Sequence, residues 1–387
     1  MAKITKPPLL NETGQDIAAA LWGLNAILRD RSELSFRQMK DIIDSGGGSK
    51  MFPVGTTFLT TKGNYVYPWT FVHHGQLEDG RPYADIRVSK AVDLLQIDSP
   101  EAFFYCETAL PAGPYYFEIG TDYGEAKAGK YKFTLPQVVP AGGRLAGLDA
   151  VYSKSGGVTA CSVKVYDTPA SLTASQTVAI TSGSSGTKLC VINPTGDPDN
   201  ENANSIHRAA YGSNNYAQSA IHQYLNSDKA AGTFWAPTNR FDNAPSWQAS
   251  QPGFMSKLPD DFLEIVSPVD ISTITNNIFE TDGYTTSSSY SMRATFWLPS
   301  RFQIFGSTEG TDLNEKQWDY YKGAVDMDRI MYDKNGTARN QWLRSPSPGH
   351  AGSVRIVNTS GAVNSATAGN SHAVAPACRI YARKAAG

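Results

Sequence analysis

Between Ala102 and Ser182 the chain is cut into short runs, AFFYCETAL, PYYFEIGT, KYKFTLPQVV, TACSVKVYD and QTVAITS, divided by PAG, AGK, PAGGR and KSGG turns, with GSSG following. Runs of β-branched and aromatic residues, interrupted by Gly or Pro at roughly every dozen residues, pair as strands and cannot sustain helices. KYKFTLP alternates, which sets Tyr131, Phe133 and Leu135 on one face of a strand. That spacing is the pattern of a sandwich or jelly-roll. It predicts a β-sandwich-like module over residues 96–188. Composition agrees. Charged residues make up 18% of the chain, below the usual ~25%, and their place is taken by 34 Gly, 19 Tyr and many Ser, Thr and Asn.

The flanking regions read differently. Pro7 and Pro8 favour an extended start. Ile17, Leu21, Leu24 and Leu28 then repeat at helical spacing, predicting a helix over about 14–30 whose single apolar stripe seeks a partner. Ser35 and Gln38 form a capping box before a short helix at 36–44. Ser45–Ser49, SGGGS, reads as a linker closing an N-terminal attachment and oligomerisation segment, residues 1–49. Residues 50–95 supply aromatic, β-branched strands, read as either the first strands of the C-terminal domain or a β linker to it. Residues 189–387 form a C-terminal domain with a helix at SAIHQYLNS, a strand at Thr295–Leu298 and a helix or turn before Gly306. The fold class is α+β, mostly β.

Several function classes find no support. Net charge is −2 with no basic block, against a phosphate-tracking nucleic-acid surface. No run reaches the ~18 apolar residues of a membrane helix, and no signal peptide is visible. Cys106, Cys161, Cys190 and Cys378 show no CxxC spacing; they read as buried thiols, with a disulfide among the first three left open. The histidines His73, His74, His207, His222, His350 and His372 lack metal-binding spacing. Asp197, Asp199 and Glu201 offer alternating oxygens as calcium requires. Counted from Asp197, however, the sixth position is Asn202 rather than Gly and the twelfth is Arg208 rather than Glu. The segment therefore reads as a solvated turn; calcium is the one ion considered, and no cofactor is expected. No GxSxG, P-loop or dinucleotide-binding glycine pattern occurs in the right context.

The series YGSNNYAQSAIHQYLNSD (211–228), NRFD (239–242), PGFMSKLPDDFLEIVSPV (252–269), FWLPSRFQIFG (296–306), then WLRSP and a closing VAPACRI, resembles a family of uncharacterised domains common in phages and bacteria of the gut. Those domains are similar to the C-type-lectin-like fold of the phage major tropism determinant and to the formylglycine-generating enzyme group. The opening KPPLLNETGQDIAAAL resembles anchoring segments of phage virion proteins. Ala375 stands where the family commonly has Arg.

The resemblance implies a phage virion protein, made in the host cytoplasm, with a C-type-lectin-like tip that binds a host surface protein or glycan. It would attach to other virion proteins through residues 1–45 and self-associate, with a trimer favoured over a dimer. The implied ligand-contacting residues, on loops, are Ser347, His350, Ser353, Arg355, Asn364, Ser365, Thr367, Asn370, Ser371 and His372. The implied scaffold is Trp342, Leu343, Arg344, Pro346, Val357, Gly361, Val363, Pro376 and Ile380. Two alternatives stand beside it: a purely structural head-decoration, tail or baseplate protein, and a formylglycine-generating-type oxidase in which Cys378 would be the reactive thiol.

Overall fold

A computed structural model describes residues 2–3, 33–122, 127–147, 161–193, 204–275, 288–307, 315–347 and 351–381. With 38% strand against 18% helix, the fold is mostly β, as the composition predicts. The expected helix at 14–30 and the acidic turn at 197–201 lie outside the described residues.

The first described helix is α1 (Phe36–Asp44). The Ser35 hydroxyl accepts from the Gln38 N–H, and the Gln38 amide oxygen accepts from the Ser35 N–H, so the capping box is formed. Phe36, Met39, Ile42 and Ile43 are buried. The SGGGS stretch turns through Gly46 and enters α2 (Gly48–Met51). Then come β1 (Thr57–Lys62), β2 (Tyr65–Gln76), β3 (Pro82–Val88) and β4 (Asp93–Gln96).

The β-rich region follows as β5 (Ala102–Tyr105), β6 (Gly113–Ile119), β7 (Gly129–Leu135), β8 (Arg144–Ala146), β9 (Ser162–Tyr166), β10 (Gln176–Ala179), β11 (Thr181–Ser182) and β12 (Thr187–Asn193). One sheet runs β10-β9-β8-β5; a second runs β11-β7-β6-β12 and ends on β13 (Asn204–Ser205). Their side chains share a core that includes Phe103, Phe117, Phe133, Leu145, Val163 and Ile192. Tyr131, Phe133 and Leu135 are all buried, as their alternation requires. β12 pairs parallel to β6, so this sheet extends beyond residue 188, the expected end of the module.

The chain then forms α3 (Ile206–Tyr211), α4 (Ala220–Leu225), α5 (Asp260–Ile265), the hairpin β14 (Val269–Thr275) and β15 (Ser288–Ala294), β16 (Phe296–Trp297) and α6 (Arg301–Phe305). Next come α7 (Asp326–Arg329), β17 (Met331–Tyr332), β18 (Ala338–Arg339), β19 (Gln341–Pro346), β20 (Ser353–Val357), β21 (Val363–Thr367), β22 (Ser371–Val374) and β23 (Ala377–Tyr381). Two five-stranded sheets organise these elements. One is β16-β23-β3-β2-β1; the other is β21-β20-β19-β22-β4. Each therefore joins strands from before the β-rich region to strands from near the C-terminus. Trp69, Phe71, Phe262, Phe296 and Trp342 belong to their common core. The Trp69 indole N–H donates to the Thr60 hydroxyl at 3.0 Å, so its polar edge is satisfied inside that core.

All four cysteines are buried free thiols, which closes the disulfide alternative. Burial pushes Cys106 up to about 12 and Cys161 up to about 11. Where the β-rich unit meets the rest, Ala102, Ala146 and Phe241 form a small apolar cluster. Beside it lie the buried Asp98, Glu101, Arg144, Asp242 and Asn243. Asp242 accepts from the Thr238 N–H at 2.8 Å and hydroxyl at 3.0 Å; Asp98 accepts from the Ser213 N–H at 3.3 Å. The second oxygen of each carboxyl has no hydrogen-bond partner among the described residues. Burial, and then the nearby Asp242 and Glu101, push Asp98 well above the ordinary range; burial pushes Asp242 up to about 6. No group of three or more His, Cys, Asp or Glu among the described residues is arranged to hold a metal. No described helix is long and apolar enough to cross a membrane.

Candidate functional site

The site is built on β19. All six of its residues are buried. Trp342 donates its indole N–H to the Leu95 carbonyl at 2.8 Å and packs against the His372 ring at 4.6 Å between centroids. Arg344, 1% exposed, donates to the Leu298 carbonyl at 2.8 Å and the Gln303 amide oxygen at 2.9 Å, and pairs with Glu315. This arginine ties β19 to α6 and to the strand before it. A buried guanidinium satisfied by a carboxylate and three neutral oxygens, the Ser272 carbonyl at 3.3 Å being the third, is a structural bolt, because removing either charge strands the other.

β20 and β21 stand on this base as an antiparallel hairpin. Its turn is closed by Asn358, whose side-chain oxygen accepts from the Ser360 and Ala362 N–H groups. Gly361 sits at φ +87°, and a Cβ there would overlap the Asp326 carbonyl. Both the positive φ and the close backbone approach demand glycine.

The register decides which predicted residues meet. Ser353 pairs with Thr367 and Arg355 with Ser365, so these four side chains share one face. Gln341 pairs with both Val357 and Ala373, which carries the same face across β19 to Ser371 on β22. Ser353, Arg355, Ser365 and Thr367 are half-buried and Ser371 is exposed. The opposite face carries Val354 and Ile356 into the core.

Four of the ten expected residues thus converge; Ser371 is on the same face but at its far end, beyond the buried Gln341, Val357 and Ala373. Asn364 lies on the other face, exposed, and Asn370 is exposed in the turn before β22. His372 also faces the core side, against Trp342; burial lowers its pKa, which leaves it neutral at pH 7. Ser347, expected on the display surface, is buried, because its N–H bonds the Ser353 carbonyl at 2.9 Å and closes the end of the β19–β20 pair. His350 lies outside the described residues.

The expected outward loops are largely strands. Mostly small residues, VNSAT and SHAV, pair across a sheet although His372 is their one large side chain. β21 is an edge strand, paired among the described residues with β20 alone. The face offers hydroxyls beside a guanidinium. That set hydrogen-bonds to polar, hydroxyl- or carboxylate-bearing partners, and among the described residues none of its hydroxyls is bonded to a base. Cys378, the one thiol weighed for chemistry, is fully buried on β23 between Ile86 and Phe296, and burial raises its pKa well above the ordinary value. A thiol in that setting is held as the unreactive neutral form.

Comparisons with curated proteins and with solved structures give no match. The family described as Domain of unknown function (DUF6273) matches residues 187–382. That span begins at β12 and takes in β19, the hairpin and its polar face, and the closing strand β23. Because it accounts for half of the chain, the protein belongs to the DUF6273 family.

Proposed function

We propose that this chain is a non-catalytic binding protein of a phage particle, which holds a host surface protein or glycan on the β20–β21 face. The observation that carries the reading is the register that gathers Ser353, Arg355, Ser365 and Thr367 on one side of an edge hairpin anchored by Trp342 and Arg344. Hydroxyls spaced along a strand form directional contacts at low conformational cost, and an edge strand adds backbone groups to the contact. In this reading the C-terminal region is C-type-lectin-like, the β-rich unit is a sandwich-type spacer, and residues 1–45 provide attachment and trimerisation.

The test is adsorption of particles carrying Ser353→Ala, Ser365→Ala and Thr367→Ala together. Adsorption to host cells falls by about tenfold or more, equivalent to about 1.4 kcal/mol of binding, while particle yield is unchanged. Unchanged adsorption by intact particles refutes the reading. Loss of particles, with adsorption per particle intact, supports a structural decoration, tail or baseplate role instead.

A further inference from the structure

A second polar concavity lies far from the hairpin in sequence, where the ends of β2 and β3 meet α2. It encloses about 460 Å³, within the ~300–1,000 Å³ range of small-molecule pockets. Its polar lining is Ser49, His74, Gln76, Tyr83 and Asp319; Ile43, Pro53 and Val54 give it an apolar wall.

Three of these polar groups, His74, Tyr83 and Asp319, are fixed from behind. β2 carries a bulge between Phe71 and His73. The two adjacent histidines are then anchored separately: His73 Nδ1 meets Asp319 at 2.8 Å, and His74 Nε2 lies 2.8 Å from the Phe52 carbonyl. A carbonyl only accepts, so His74 Nε2 carries the hydrogen. Burial lowers the His74 pKa, which leaves the ring neutral and its Nδ1 a bare acceptor. The Phe71 ring stacks on one face of His74.

Tyr83 lies across Gly75, its partner on β2; a Cβ at Gly75 would come within 2.5 Å of the ring. The Arg379 guanidinium sits 3.7 Å from the Tyr83 centroid and is itself held by Asp85 at 2.6 and 2.9 Å. Asp319 is shared between His73 and Lys322, the latter at 2.6 Å.

The charges decide what such a pocket takes. Among the described residues no cation lines it, so an anion finds no counter-charge. Its one carboxylate already holds a lysine and a histidine, so an organic cation gains little. What remains is a neutral set rich in acceptors and hydroxyls around one apolar wall. That matches a ring with hydroxyls on its rim and C–H groups on its faces. We propose that the pocket between α2, β2, β3 and Asp319 is a binding site for one neutral sugar ring, with His74 Nδ1, Tyr83 and Gln76 taking its hydroxyls. The site is separate from the β20–β21 face and does not depend on the reading of that face.

The test is saturation-transfer NMR on the full chain with glucose, galactose, mannose and N-acetylglucosamine at millimolar concentration, with glucosamine and sialic acid as charged controls. At least one neutral sugar receives saturation. His74→Phe keeps the stacking on Phe71, removes the Nδ1 acceptor and weakens that sugar about tenfold, or about 1.4 kcal/mol. Gln76→Ala, on an exposed strand end, weakens it as well without touching the core, which covers the case where His74→Phe misfolds. The proposal is overturned if no neutral sugar receives saturation, if both variants bind as the parent does, or if a charged control binds more tightly than every neutral sugar.

Discussion

The buried carboxyls at the junction set a pH dependence that can be worked from the structure. Asp242 titrates at about 6 in the folded chain, against an ordinary 3.8, because burial penalises its charged form more than the Thr238 hydrogen bonds and Arg144 relieve it. A carboxyl whose folded pKa is raised holds its proton more tightly when folded. Its contribution to stability is fully present below its unfolded pKa and is lost as pH rises through the folded value. The shift of roughly 2 units corresponds to about 3 kcal/mol lost between about pH 4 and about pH 8. Asp98 is shifted in the same direction and adds to the loss. Asp242→Asn cannot ionise, and its amide oxygen can still accept from Thr238. The variant should match the parent near pH 4 and exceed it by up to about 3 kcal/mol near pH 8, the net penalty after the relief from Arg144 and Thr238. Urea denaturation across that range, followed by tryptophan fluorescence, measures both curves. Parallel curves, or a variant less stable than the parent near pH 8, would refute the account of two carboxyls confined without adequate partners.

Two further substitutions probe the base of the hairpin. Gly361→Ala forces a side chain into a positive-φ turn pressed on Asp326, and should cost about 1–3 kcal/mol or more by thermal denaturation. Arg344→Met leaves Glu315 buried without its partner and should cost about 3–5 kcal/mol; the double variant with Glu315→Gln should recover part of that loss, a coupling that additive costs would contradict.

Local signals in this chain were legible. Ser35 and Gln38 announce α1, Ser219 announces α4, and the alternation of Tyr131, Phe133 and Leu135 gives both the strand and its buried face. Each depends on neighbours within a few residues. The SGGGS run shows where such reading fails: its composition is that of a linker, yet tertiary contacts turn it into α2 and a wall of the pocket. The β20–β21 hairpin was hidden for a related reason. Ser, Asn, Thr and Ala make the alternation there invisible to a search for large apolar residues, although Val354 and Ile356 do point into the core. The second pocket was beyond reach altogether. His73 and Asp319 are 246 residues apart, and nothing in either local sequence marks the pair.

The same long-range pairing limits what the family span can be by itself. Residues 187–382 include β23 and β22, but their partners β3 and β4 lie at 82–96. Arg379 is neutralised by Asp85, and the Trp342 indole is satisfied by the Leu95 carbonyl. Without the earlier strands, both sheets would present open edges, and a buried indole N–H and a guanidinium would lose their partners. The β-rich unit, β5–β12, leaves the chain after β4, and the chain then returns to complete sheets already begun. Residues 33–97 are therefore part of the same folded body as the C-terminal strands. The polar hairpin face and the pocket at His74 lie on opposite contributions to that body, one from its last strands and one chiefly from its first.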